Sequence, residues 1–200
     1  MTRRLRIFIS AAPDLEVERE AVGKAVASLP VSLGWVINYT PGRGEPLAPA
    51  FEAAAASDFY VLLLGMDIRA PVGSELVIAR QSGKRILPFL KDVARTPAAR
   101  VFLRDIRLEW NHFDTAAELG PLLKAALAEQ IVEGAQAYGI SVLDWERLST
   151  LLAESKSQEA SEREGEEIAP EYRGAGKDAV IVAPGRDLPE EGVLIERPET

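Results

Sequence analysis

Ser57-Asp58-Phe59-Tyr60-Val61-Leu62-Leu63-Leu64-Gly65 is the stretch that decides the fold. Residues 59–64 are apolar without interruption and have the length of a strand, bounded by Asp58 and Gly65. A strand with one wet face alternates polar and apolar residues. A continuous run is what a central parallel strand needs, because crossover helices cover both of its faces. The flanks agree. Upstream, residues 5–10 form a buried strand, followed by Asp14 as an N-cap and a helix carrying Leu15, Val22, Val26 and Leu29. Pro30 ends that helix, residues 33–39 are strand-like, residues 40–46 are turn-forming, and residues 47–56 form a short alanine-rich helix.

Downstream, Ser74 is placed to cap a helix through about Gln81, Gly83 stops it, and residues 86–90 form a fourth strand. Residues 106–110 are expected as a fifth, weaker strand. Residues 115–131 are expected as a helix with Leu119, Leu122, Leu123, Ala126 and Leu127 inward. Five βα alternations predict an α/β fold, with one five-stranded doubly wound parallel sheet and right-handed crossovers, in the flavodoxin-like order 2-1-3-4-5.

Beyond this domain (1–132), a helical extension (133–154) is expected, with Leu143, Leu148, Leu151 and Leu152 beside Trp145 on a helix over 142–154. Residues 155–167 are rich in Ser, Glu and Lys and read as the start of an acidic linker (155–178). Two short β-type runs, 179–182 and 193–195, suggest a hairpin or a disordered tail over 179–200.

Composition narrows the function. The 200 residues are 47% apolar and 27% charged, a globular balance. There is no cysteine, hence no disulfide framework, thiolate metal site or cysteine nucleophile, and a cytoplasmic location is the expectation. The net charge of −8 is concentrated late: from Glu154 onward there are 13 acidic and 6 basic residues, leaving 18 and 17 before it. With no basic stripe, nucleic-acid binding has no support. No apolar run approaches the roughly 18–20 residues of a membrane span, so no membrane association is expected.

Ligands of open parallel sheets bind at the carboxyl ends of the strands, where strand order reverses, here between the first and third strands. That points to residues 10–14 after the first strand, 38–45 after the second, 65–75 after the third, and Asn111 and His112 after the fifth, and within them to Ser10, Asp14, Arg43, Gly65, Ser74 and Glu75. Ser10 and Asp14 suit ribose or phosphate contacts, though a strand-end serine and a capping aspartate also explain themselves structurally. Arg43 between Gly42 and Gly44 suits a diphosphate, and the same glycines suit any tight loop. His112 has no second histidine or cysteine beside it to complete a metal site. A Rossmann fingerprint is missing, since Ala11-Ala12-Pro13 follows the first strand; a phosphoacceptor receiver would need an aspartate where Gly65 stands. A Walker loop and a nucleophile elbow are absent as well.

Arg6-Ile7-Phe8-Ile9-Ser10-Ala11-Ala12-Pro13-Asp14-Leu15 with Glu18-Arg19-Glu20-Ala21-Val22 resembles the opening of bacterial TIR-like domains of signalling and defence proteins. Ser57 to Gly65, then Gly73-Ser74-Glu75-Leu76 and Gly83-Lys84-Arg85-Ile86-Leu87-Pro88-Phe89-Leu90, resembles the same superfamily in order and spacing over about residues 5–131. The resemblance implies that Glu75 matches the acidic residue with which enzymatic TIR domains and related deoxyribosyltransferases cleave an N-glycosidic bond. NAD or a related nucleotide is then the implied substrate, and a homo-oligomer or protein partner the implied assembly. A carboxylate suits that chemistry because loss of the base develops oxocarbenium character. The pattern departs at Pro71, where the enzymatic form carries a small polar residue or cysteine. The alternative implied function is a non-catalytic TIR-like interaction or nucleotide-sensing module.

Overall fold

The computed structural model describes residues 4–167. The order of elements is β1 (Arg4–Ala11), a 3-10 turn (Pro13–Leu15), α1 (Glu16–Ala27), β2 (Gly34–Tyr39), α2 (Ala48–Ala56), β3 (Phe59–Leu64), α3 (Val72–Gln81), β4 (Arg85–Lys91), α4 (Pro97–Asp105), β5 (Asn111–Phe113), α5 (Ala116–Glu133), α6 (Ala135–Tyr138) and α7 (Val142–Glu167). The five strands are all parallel and lie in the order β2-β1-β3-β4-β5. All six residues of β3 are buried, as its uninterrupted apolar character requires.

Period-two alternation divides the core between the two faces of the sheet. Leu5, Ile7 and Ile9 of β1, with Phe59, Val61 and Leu63 of β3, pack under α1 and α5. Phe8, Tyr60 and Leu62 face the other way, toward α2 and α3, where Phe8 and Tyr60 stack at 5.7 Å between centroids. Ala50 and Ala54 of α2 and Ala79 of α3 keep those helices close to the sheet. The buried part of the site is built on this second face, and α1 of the first face adds Glu16 and Arg19 to its walls.

Four expectations are corrected. The fifth strand is β5 at Asn111–Phe113, not 106–110. Ile106, Leu108 and Trp110 are half-buried while Arg107 and Glu109 are exposed, so the alternation is real. It belongs to an extended segment lying over the α2/α3 face rather than to a paired strand. Pro88 explains the late start of pairing. It has no N–H to offer a neighbour, its carbonyl accepts from the Asn111 side chain at 3.1 Å, and the β4–β5 register begins one residue later at Phe89↔Asn111. Second, α3 starts at Val72 with Pro71 as its N-cap, so Ser74 lies inside the first turn and is not the cap. Third, Asp14 sits in the 3-10 turn, and α1 has no side-chain cap. Fourth, residues 155–167, expected as a linker, continue α7 to Glu167. The run contains no proline and is dominated by Glu, Lys, Gln, Ala and Arg, good helix formers that extend a helix already nucleated and packed. The β-type runs at 179–182 and 193–195 lie outside the described residues, as do residues 168–178 of the acidic linker.

The early part of α7 packs back on the domain. Leu148 is fully buried, Leu151 and Leu152 are half-buried, and Asp144 accepts from both the backbone N–H and the hydroxyl of Ser32 at 3.1 Å each. No helix among the described residues is long and apolar enough to cross a membrane.

Candidate functional site

Glu75 is the fourth residue of α3 and points inward, at the sheet, rather than out of it. Its exposure is 0%. Two hydroxyls from separate strands reach it: Ser10 Oγ donates to Glu75 Oε2 at 2.5 Å and Thr40 Oγ1 donates to the same oxygen at 2.8 Å. Ser10 is an even-numbered residue of β1, so the pleat turns it to the face α3 covers. Thr40 follows β2 and is pinned twice by β1, its N–H donating to Ile9 O and its Oγ1 accepting from Ala11 N, both at 3.1 Å. Two buried oxygens beside this cluster have no partner: Glu75 Oε1 and the Tyr60 hydroxyl.

The electrostatics follow from that enclosure. Burial pushes the Glu75 carboxyl above the ordinary carboxylate range, and the Ser10 and Thr40 bonds and the attraction of Arg19 oppose the shift without cancelling it. Magnitudes explain why. A hydrogen bond to a charged group contributes about 1.5–3 kcal/mol, and a first-turn helix dipole about 0.3–1 kcal/mol, while desolvating an ion costs several kcal/mol. The helix N-terminus therefore does not offset the upward shift of Glu75, contrary to what its position alone suggests. The Tyr60 hydroxyl is pushed up as well, chiefly by burial, with Ser10 opposing and Glu75 adding to it.

In front of the cluster lies a crevice of about 630 Å³ across the carboxyl ends of β1 and β2 and the loop into α3. Its walls include Ala11, Arg19, Thr40, Arg43, Arg69 and Val72, but not Glu75. The volume lies within the range of small-ligand sites, roughly 300–1,000 Å³. Arg43 is exposed in the Gly42–Gly44 loop, which turns on Gly44 at φ +88°, and it makes no ion pair among the described residues. Arg69 is paired with Asp67 at 2.9 Å. Arg19 rises from α1 with its guanidinium 5.2 Å from the centre of the Tyr39 ring, and its buried Nε has no partner. Two acids, Glu16 and Glu45, also line the crevice; Glu45 is held by the Gly42 N–H at 2.9 Å. The chain matches no protein-family model and no curated protein.

The residues expected at the site divide. Ser10 and Glu75 are brought together in one buried cluster, and Arg43 lines the crevice in front of it. Asp14 is exposed, and its Oδ2 meets the Met66 N–H at a long 3.4 Å. Gly65 serves close packing: a Cβ there would lie 2.9 Å from Leu15 Cδ2 and 3.1 Å from Asp14 Oδ2. Ser74 is exposed and lines a separate shallow depression with Ile68, Gly73 and Val77. His112 lies apart from the crevice, its Nδ1 3.0 Å from Asp92, whose carboxyl is held low chiefly by that bond. No cluster able to hold a metal ion occurs among the described residues.

Two contributors were missed by sequence reasoning, Arg19 and Tyr60, and a third, Thr40, fell inside the candidate range 38–45 without being singled out. Its role depends on partners 29 and 35 residues away, Ala11 and Glu75, which no local pattern reveals.

Proposed function

We propose that the protein is a TIR-like nucleotide-binding module whose resting form does not cleave its ligand. One observation carries the second half of that reading: Glu75, the acid that would stabilise an oxocarbenium-like centre, has 0% exposure and accepts from Ser10 and Thr40 behind the crevice wall. A carboxylate that stabilises developing charge must reach the reacting carbon and be ionised. Here burial works against both conditions. The crevice supports the first half, because Arg19, Arg43 and Arg69 come from three different segments and suit a phosphate-bearing ligand at the strand-order reversal.

Incubation of the purified chain with NAD tests this reading. The expected outcome is saturable NAD binding, weakened about tenfold by Arg43→Ala, an effect of about 1.4 kcal/mol, with no nicotinamide released above background. Nicotinamide release that Glu75→Gln abolishes overturns the reading in favour of an NAD glycohydrolase. That second reading has one observation in its favour. Glu75 Oε1 is a buried acceptor with no partner, and such groups gather at functional sites.

A further inference from the structure

Thr40 belongs to two structures at once. It lines the crevice, and its hydroxyl is spent behind the crevice wall, accepting from Ala11 N and donating to Glu75 Oε2. Arg19 is shared in the same way, lining the crevice while its charge attracts the buried carboxylate. We propose that the crevice and the buried Glu75 carboxyl form one linked unit, in which an anion seated against Arg19 and Thr40 binds together with a proton taken up by Glu75. The proposal rests on the reading of the crevice as a nucleotide site.

The charges around Glu75 set the direction. Ser10 on β1 and Thr40 after β2 donate to Oε2, Tyr60 on β3 offers a neutral hydroxyl, and Arg19 on α1 supplies the positive charge. No other charged partner acts on the carboxyl among the described residues. An ionised Glu75 behind the wall repels an anion in front of it and competes with that anion for Arg19. A protonated Glu75 does neither. The carboxyl is already raised by burial, and an added anion shifts it further in the same direction. By linkage the same coupling acts in reverse, and the ligand binds more tightly to the protonated form. Protonation balances simply: solvent supplies one proton, Glu75 Oε1 is the open oxygen that can carry it, and no bond in the ligand changes.

The experiment is a calorimetric titration of the full chain with NAD in two buffers of different protonation enthalpy, across about pH 5 to about pH 8. NAD is the suitable probe because its diphosphate diester does not titrate in the neutral range, so any proton exchanged belongs to the protein. The expected result is uptake of a fraction of a proton, at most one, with affinity falling about tenfold as pH rises across that window. Glu75→Gln is expected to bind at all these pH values with the affinity the parent has at the acid end, and to exchange no proton. Thr40→Val removes a bond that favours the ionised carboxyl and is expected to move the uptake window to higher pH, which decides the assignment even if Glu75→Gln does not fold. NAD binding without proton uptake overturns the linkage and leaves the crevice reading standing. Uptake that persists in Glu75→Gln, or an unmoved window in Thr40→Val, overturns the assignment to Glu75. Absence of NAD binding at every pH overturns the crevice reading and the linkage with it.

Discussion

Two hydroxyls do not replace the water that a carboxylate loses on burial, and the state of Glu75 follows from that imbalance. Its position was legible, since an acid after Gly73 and Ser74 at the start of a helix beside the strand-order reversal is a recognisable pattern. Its orientation was not. The helix begins one turn earlier than Ser74 suggests, at Val72, so Glu75 rotates to the sheet-facing side and Ser74 to solvent. Gly65 shows the same limit at a single residue: the sequence marks a strand end, while only the packing shows why nothing larger fits. Leu15, whose Cδ2 would lie 2.9 Å from an added Cβ, is itself 1% exposed and has little room to move. Gly65→Ala is therefore expected to destabilise by about 1–3 kcal/mol through overpacking. Thermal unfolding checks this, and an unchanged midpoint would show that Leu15 has a second rotamer at no cost.

Among the elements, β3 was the most legible and β5 the least, for one physical reason. Continuous burial on both faces leaves only one sequence pattern open to β3. Alternation over 106–110 is compatible with a paired strand or with an unpaired segment over a helical face, and Pro88 on the neighbouring strand decides between them. The helix α4 was missed although Thr96 accepts from Ala99 N–H as its N-cap and Pro97 follows. The opening of α7 shows how a remote element is tied down. Ser141 Oγ accepts from Asp144 N–H at 3.1 Å, Asp144 in turn accepts from Ser32, and Leu148 enters the core. Leu148→Ala should cost about 2–5 kcal/mol, as other buried leucine truncations do. Denaturant unfolding is expected to show a lower midpoint while NAD affinity in the folded range stays unchanged. A loss of affinity equal to that of Arg43→Ala would mean that α7 acts on the crevice.

At the scale of the whole molecule, two buried carboxyls oppose each other in pH, and their balance sets where the fold is most stable. For Asp144 burial is the largest influence and acts upward, yet the contacts from Ser141 and Ser32 and the nearby Arg147 together hold it low. A lowered folded value means that its stabilisation is present above the ordinary carboxylate range and lost as pH falls through the folded value. The half-buried Asp67 and the exposed Asp92 and Glu118 are also held low and act in the same direction. Glu75 is the opposite case. With its folded value raised, its favourable contribution is complete below the ordinary carboxylate range and is lost as pH rises through the folded value. Stability is therefore expected to decline on both sides of an optimum, with the acidic limb set by Asp144 and its companions and the alkaline limb by Glu75. Glu75→Gln keeps an oxygen that accepts from Ser10 and Thr40 but carries no charge. It should raise the unfolding temperature at about pH 8 and leave it nearly unchanged at about pH 4, a gain of about 2–4 °C for each kcal/mol recovered. Asp144→Asn should do the reverse, lowering the midpoint at neutral pH and flattening the acidic limb. Unfolding temperatures of the three proteins across pH decide the matter: a Glu75→Gln midpoint lowered equally at both ends would mean that the carboxyl is held for its hydrogen bonds alone, and the alkaline limb would need another group.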